Sequence, residues 1–453
     1  MAKKKDKSEL LKQELDKIPE EKQKPSSQSE VKTAEAIKLR SAIDWLNANY
    51  DFRYNVSSNE IECKAKNNKE FITLDEYDGN GIKNKLSLFG GITLSKLHFD
   101  QIILSEYVAY KYNPLKEYLF SLPKWNKKTD YIKEFLNQVY LKNEEDRNYF
   151  IRGFTKWFVA LVMSLIEDAP DPYHINQVAL ILVSSGQGKH KTTWLGSIVP
   201  ENLRLKYYYP SSFNAHNKDH EKYLATKILI NLDEMSSFNK TDIETMKSKI
   251  TQPQVVLRLP YGRADIHVKR RASFCGSIND RQFLRDETGS RRWFVIEIDD
   301  IKYEPDFDVS KMYAQALELY RSGFEFWFDG NFISEIEERN IEYSQATMEE
   351  ELLLLYFRKA SRDEEFNSEM KVAQYLTTSE IAQIIANKNQ RMNINGSVLR
   401  SLGKALTKHK FYRKGVKVKE TKTTLYCWKV FYYDDPQLKD SGNTESKSNQ
   451  DII

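Results

Sequence analysis

A chain of 453 residues with 40% hydrophobic and 12% aromatic content is long enough for two or three domains and at least one large core. Its net charge of only +4 excludes a uniformly polybasic binder, so any nucleic-acid surface has to come from local clustering. Cys63, Cys275 and Cys427 lie far apart without a Cys-x-x-Cys pair, which argues against a disulfide scaffold or structural zinc and fits a reducing cytoplasm. The N-terminus lacks the apolar core of a signal peptide. The longest apolar run, "FVALVMSLI" at 158–166, is about half of what spans a bilayer. A soluble, cytoplasmic protein with no membrane partner is expected.

In chain order, residues 1–40 read as a disordered charged arm; the first 36 contain no aromatic. Residues 41–115 mix short strand-like runs ("NEIECKAK", "EFITLDEY") with helical pattern and form a small α+β module without a legible task. Residues 116–170 are helical, and "RNYFIRGFTKWFVALVMSLIED" is apolar nearly all round, as a buried helix is. Over 171–330, the runs "VALILV", "KILINL", "VVLRL", "ASFCGSI" and "RWFVIEI" alternate with helical or loop stretches, which predicts an α/β domain with a sheet covered on both faces. A helical connector at 331–371 leads to a unit at 372–433. There Thr377 and Glu380 fit a capping box opening "SEIAQIIANK". A second helix and a basic β-hairpin follow, the order of a winged helix-turn-helix. Residues 434–453 read as a disordered tail.

The chemistry starts at "VALILVSSGQGKHKTTW", an apolar strand, a Ser/Gly-rich turn and a helix opened by Lys-Thr. Such a turn holds phosphates: backbone N–H groups face the anion, Lys neutralises it and Thr coordinates Mg²⁺. The expected nucleotide-binding residues are Gly186, Gln187, Gly188, Lys189, His190, Lys191, Thr192 and Thr193. Lys191 is the phosphate lysine and Thr192 a metal ligand. The strict pattern G-x-x-x-x-G-K-[ST] would place glycines at Ser185 and His190. Histidine visits left-handed φ more readily than most residues, so His190 can stand where glycine would. In "KILINLDEMSSF", Asp233 and Glu234 end a strand-like run, where one carboxylate holds Mg²⁺ and the second orients attacking water. Asn279, ending "FCGSIN", can sense the γ-phosphate. Arg291 and Arg292 in "LRDETGSRRWFVIEI" follow a Gly-Ser turn and can stabilise transition-state charge on a neighbouring subunit's γ-phosphate.

These elements, in this order, resemble the virulence-associated protein E family over roughly 115–330. The specific part is the combination "QGKHKTTW", "LDEM", "LPYGR" and "DETGSRRWF", preceded by "YNPLKEYLFSLPKWNKKTDYI". The resemblance implies an α/β fold with a P-loop (AAA+-like) ATPase domain, between an N-terminal α+β/helical region and a C-terminal winged-helix-like domain. It implies ATP and Mg²⁺ as cofactors, and Lys191, Thr192, Asp233, Glu234, Asn279 and Arg291 or Arg292 in the roles given above. Members are related to superfamily 3 and poxvirus-type primase-helicases. The expected activity is therefore ATP-driven DNA unwinding by a ring-forming homo-oligomer, read as a hexamer, at the origin of a mobile element or prophage. The alternative is an ATP-regulated DNA-binding initiator that does not unwind.

Single-stranded DNA is expected to meet the hairpin "VVLRLPYGRADIHVKRR", with Arg258, Arg263, Lys269, Arg270 and Arg271 supplying charge and Tyr261 stacking on a base. Duplex DNA is expected on the C-terminal unit, where nine Lys/Arg face one acid, Glu420, between Lys404 and Lys429. Lys410, Arg413, Lys414 and Lys417 are the expected contacts. His216 and His220 in "HNKDH" have zinc-hydrolase spacing, but the adjacent Glu and a third ligand are missing. Residues 1–115 show no primase-like acidic cluster, so priming is assigned to a separate partner.

Overall fold

The computed structural model describes residues 33–166, 175–184, 186, 188–211, 213–233, 240–258, 265–284, 290–367, 371–389, 392–417 and 424–432. The chain divides into two units, 1–343 and 344–453. In the first, Thr33 caps α1 (Ala34–Asn49) by accepting from the Ala36 N–H. Then come β1 (Tyr50–Asn55), β2 (Glu60–Ala65), β3 (Ile72–Thr73), α2 (Glu76–Gly90), α3 (Lys96–Ile103) and β4 (Ala109–Tyr112). The four strands form one sheet in the order β3-β2-β1-β4 over a core containing Leu46, Phe52, Leu86 and Phe99.

Two short helices, α4 (Pro114–Ser121) and α5 (Tyr131–Leu136), precede β5 (Val139–Leu141) and the long α6 (Arg147–Ile166). The stretch Glu144–Ile166 is long and apolar enough to cross a bilayer, more than the uninterrupted apolar run suggested, yet 78% of its most apolar window is buried inside the molecule. It is the central core helix, with Phe150, Phe154, Trp157 and Phe158 fully buried. Gly153 lets α6 lie close to the sheet, since a Cβ there would sit 2.2 Å from the Phe294 ring.

The remaining elements of this unit are β6 (Ala179–Val183), α7 (Lys191–Ser197), α8 (Glu201–Tyr207), β7 (Tyr208–Tyr209), α9 (Lys218–Thr226), β8 (Leu229–Asp233), α10 (Lys240–Thr251), β9 (Gln254–Arg258), β10 (Asp265–Lys269), β11 (Ser273–Ile278), β12 (Trp293–Ile301), α11 (Val309–Arg321) and α12 (Gly330–Asn340). Six strands form the main sheet in the order β5-β12-β6-β11-β8-β7. Neighbours from β12 to β7 are parallel, and only β5 runs antiparallel. Successive residues of β6 fall into two separate cores, Leu180 and Leu182 on one face, Ile181 and Val183 on the other. That double burial is why these strands read as unbroken apolar runs. "VVLRL" is the exception: it is β9, paired only with β10.

The N-terminal sheet is tied to the larger sheet by buried polar groups. Asn55 Nδ2 donates to Tyr207 Oη at 2.8 Å and to Glu62 Oε1 at 3.0 Å. The Lys206 ammonium reaches Glu62 at 2.6 Å, and the Tyr112 hydroxyl donates to the same carboxylate.

In the second unit, α13 (Met348–Tyr356) and β13 (Phe357–Lys359) precede the small pair β14 (Phe366–Asn367) and β15 (Lys371–Val372). Then follow β16 (Gln374–Leu376), α14 (Thr378–Lys388), α15 (Gly396–Lys408), β17 (Tyr412–Lys417) and β18 (Thr424–Tyr432). The Thr377–Glu380 capping box is formed in full. Leu353, Ile381, Leu402 and Trp428 share the core. The stretch expected as a single connector is therefore divided: α12 packs into the first unit and α13 into the core of the second.

Burial alone would raise the pKa of Glu62, but hydrogen bonds from Lys206, Tyr112 and Asn55 outweigh it and hold the carboxyl at about 2. A depressed folded-state value stabilises the fold above the ordinary carboxylate range and loses that contribution as pH falls towards about 2. Glu62→Gln is expected to lower unfolding stability by about 3 kcal/mol at pH 7. The difference from wild type should shrink in denaturant titrations as pH is lowered through the carboxylate range. A difference independent of pH would show that the charge is not what matters.

Candidate functional site

Strand β6 ends at Val183 between Ile278 of β11 and Glu297 of β12, its register partners. The chain leaves the sheet at Ser184, whose N–H donates to the Ile278 carbonyl at 3.1 Å, and turns through Gly186 and Gly188 into α7. Gly188 has φ +78° and His190 φ +52°, both left-handed. His190 thus adopts the backbone conformation that glycine supplies without steric cost. Its ring lies 6.4 Å from that of Tyr303, 23° from parallel.

Lys191 opens α7 and turns inward, 8% exposed. Its ammonium donates to Ser184 Oγ at 2.7 Å and Asn279 Oδ1 at 2.5 Å, and lies 3.4 Å from the carbonyls of Gly186 and Ile278. All four acceptors are neutral, and among the described residues no carboxylate pairs with it. Burial, aided by the nearby charge of Lys189, lowers its pKa. Neutral dipoles alone offset the cost of burying a cation less than a counter-anion does.

Beside it, Thr192 Oγ1 lies 3.4 Å from Ser277 Oγ. Ser277 is the cross-strand partner of Asp233, the last residue of β8. Thr192 on α7 and the backbone of Asp233 on β8 thus both adjoin Ser277. Lys189 does not face this group; its ammonium donates to the Asp299 carbonyl on β12. Thr193 is exposed on α7. Gln187 and Glu234 lie outside the described residues.

Arg291 and Arg292 form a single 3₁₀ turn, Ser290–Arg292, leading directly into β12. Because Trp293 pairs with Ala179 and Glu297 with Val183, the turn sits at the start of β6 and the Lys191 site at its end. Four residue steps separate those levels, about 13 Å along the strands. Arg291 is exposed. Arg292 is half-buried, and burial followed by the adjacent Arg291 charge lowers its pKa. Neither is placed to complete the site of its own chain.

The hairpin needs a correction. Lys269, Arg270 and Arg271 are 4%, 1% and 7% exposed, so they do not form a DNA-facing surface. Arg270 donates to the carbonyls of Gln252, Ala272, Asn176 and Ile250, which makes it an internal staple at the base of β10. Arg258 ends β9, opposite Asp265 in register. Tyr261 and Arg263 lie outside the described residues. In the second unit Lys410, Arg413 and Lys414 are exposed, and Lys417 ends β17. The Arg413 guanidinium covers the rings of Tyr426 and Trp428 at 4.8 and 5.2 Å.

The histidine pair does not gather ligands. His216 Nε2 meets Asp242 at 3.1 Å and His220 Nδ1 accepts from the Asn214 N–H. No group of three possible metal ligands occurs among the described residues. Ser184 and Ser277 were missed in the sequence because serines at strand ends are unremarkable until parallel pairing brings them beside Lys191 and Thr192.

With the turn, strand ends and arginines in place, comparison with known proteins is informative. The virulence-associated protein E-like domain matches residues 119–349 of the 453. The chain belongs to the virulence-associated protein E-like family. The family match includes the Lys191 turn, Asp233, Asn279 and both arginines, and leaves out the N-terminal sheet and most of the second unit. Two apo structures of the NrS-1 C-terminal region (305–718) are 14% identical, cover 87% of this chain and 99% of their own, and superpose with TM-scores of 0.43 and 0.44. A further A-form apo structure of that region is 12% identical, with coverages of 87% and 100% and a TM-score of 0.42. No curated protein matches the chain.

The left-handed backbone at residue 190 yields a direct test. His190→Gly should leave stability within about 1 kcal/mol, relief of strain being offset by a more flexible unfolded chain. His190→Val, β-branched, should cost about 1–2 kcal/mol. Denaturant unfolding of both variants checks this, and equal stability of the two would contradict the assigned backbone.

Proposed function

We propose that this family member is a Mg²⁺-dependent ATPase of the P-loop, AAA+-like type that assembles as a ring and unwinds DNA at the replication origin of a mobile element. The observation carrying the reading is the Lys191 ammonium, buried and held among the described residues by neutral acceptors, at the carboxyl end of a parallel sheet. Ligands of open α/β sheets bind at that end, where the strand order changes direction. Here the chain leaves β6 for β7, returns through β8 and β11, and crosses to β12 on the other side of β6. A nucleotide's β- and γ-phosphates supply a counter-anion.

In this reading Lys191 transfers its hydrogen bonds from Ser184 and Asn279 to phosphate oxygens, and Asn279 is released to orient the γ-phosphate. Gly186, Gly188 and the neighbouring backbone wrap the phosphates. Thr192 and Asp233 would hold Mg²⁺, which when bound would neutralise charge on the phosphate oxygens. Glu234 accepts the proton of the attacking water. The arginine turn lies at the opposite end of the parallel strands, which supports a role on the site of the next protomer in a closed ring; we assign six copies.

We assign duplex binding to the second unit, read as a winged helix, through Lys410, Arg413, Lys414 and Lys417. The segment between β9 and β10, through Arg258, Tyr261 and Arg263, is assigned to single-stranded DNA. Priming is left to a separate protein. One observation favours a second reading, an ATP-regulated initiator that does not unwind: His190 occupies a left-handed position, where its Cβ leaves the backbone fewer conformations than glycine would. Strand displacement on forked DNA, measured beside ATP hydrolysis, separates the readings.

Lys191→Met is expected to weaken ATP binding at least about 100-fold, as loss of a buried charge-assisted contact to phosphate does. The lowered pKa of Lys191 means that its charged form costs stability below that lowered value. Removing the charge should therefore leave the melting temperature in the absence of nucleotide unchanged or higher. Titration with fluorescent ATP and a thermal melt check both parts. Undiminished ATP binding would overturn the assignment.

A further inference from the structure

Asn340, the last residue of α12, and the turn Ile341–Tyr343 after it contact the described residues on both sides of 285–289. Leu284 N donates to the Tyr343 carbonyl at 3.0 Å, and Arg281 pairs with Glu342 at 2.8 Å. Asn340 is 2% exposed, and its side-chain amide donates to the carbonyls of Ser290 and Trp293, both at 2.8 Å. Arg291 and Arg292 are the two residues enclosed between those acceptors.

The chemistry of this contact is selective. Two carbonyl oxygens can be met only by the amide nitrogen with its two hydrogens; an isosteric Asp would oppose lone pairs to lone pairs. The other buried residues of α12, Phe332 and Ile336, are apolar and pack into the core. Asn340 Oδ1 has no partner among the described residues, a cost that a residue serving only to fill space would not carry. What the amide secures is the shape of the turn. Without it, Ser290–Arg292 would lose both side-chain hydrogen bonds that bracket it, and two long guanidinium side chains would sample more positions.

Resting on the reading that these arginines serve a neighbouring copy, we propose that Asn340 is a positioning residue for the arginine turn. It touches neither nucleotide nor metal. It sets where the guanidinium groups emerge, so its loss impairs hydrolysis in the adjacent protomer and leaves the chain's own site intact. A misplacement of about 1 Å in such a group costs on the order of 100-fold in rate.

The test uses full-length chain carrying Asn340→Ala, with Asn340→Ser, which keeps one donor, as the milder variant. Asn340→Ala should lower ATP turnover about 10- to 100-fold, bind ATP within about twofold of wild type and melt cooperatively, with Asn340→Ser intermediate. The deciding readout is mixing. Lys191→Met protomers have a defective site and an intact arginine turn; Asn340→Ala protomers have the reverse. Their equimolar mixture should turn over ATP several-fold faster than either alone, as should Lys191→Met mixed with the double variant Arg291→Ala/Arg292→Ala. If the arginine mixture recovers and the Asn340 mixture does not, the positioning role is wrong and the arginine reading stands. If the arginine mixture fails to recover, the reading on which the proposal rests falls, and the proposal with it. Wild-type turnover in Asn340→Ala, or loss of cooperative melting in both Asn340 variants, also overturns it.

Discussion

The Lys191 ammonium sits in a nearly dry setting, and the geometry around it follows from what such a charge tolerates. A buried cation needs hydrogen-bond acceptors on every side. The protein supplies them from the ends of two adjacent parallel strands and from the turn that follows one of them. That arrangement requires β6 and β11 to lie side by side although almost a hundred residues separate them in sequence. It also requires close contact between β11 and β8, which Gly276 permits: a Cβ there would come within 2.9 Å of the Leu232 carbonyl. The sheet order, the glycine and the strand-end serines and asparagine together hold a charge at the place where, in the proposed function, a phosphate would complete its coordination.

The same sheet separates the two halves of the proposed chemistry. Lys191, Thr192, Asp233 and Asn279 gather at the carboxyl end of the parallel strands, and Arg291 and Arg292 precede β12 at the other end. A single chain cannot bring these sets together without breaking β12, which is almost wholly buried along Trp293–Ile298. In the proposed function this separation assigns the two sets to different copies, and the orientation of the arginine turn rests on its own supports.

Much of this was legible in the residues. The strands "VALILV", "KILINL", "ASFCGSI" and "RWFVIEI" announce themselves because burial on both faces demands unbroken apolar runs, and the capping box at Thr377 is a local signal with a local outcome. The strands β5 and β7, of three and two residues, carry no periodicity and exist only through pairing with longer neighbours. Lys269, Arg270 and Arg271 look like a basic surface in one dimension. They are buried because carbonyls from distant segments converge on Arg270, and no spacing rule foretells that. Asn340 in "EERNIEY" gives no sign of its partners nearly fifty residues earlier. The family resemblance singled out the Lys191 turn; only the three-dimensional pairing located Ser184, Ser277 and Asn340.

The central claim is that Lys191 exchanges neutral acceptors for a nucleotide's phosphates. A structure of the full chain bound to Mg²⁺ and a non-hydrolysable ATP analogue measures this directly. The account predicts the Lys191 Nζ within hydrogen-bond reach of a β- or γ-phosphate oxygen and withdrawn from Asn279, with Thr192 Oγ1 bound to the metal at about 2.1 Å. An analogue bound elsewhere, or one seated at the turn while Lys191 still grips Asn279, would contradict it.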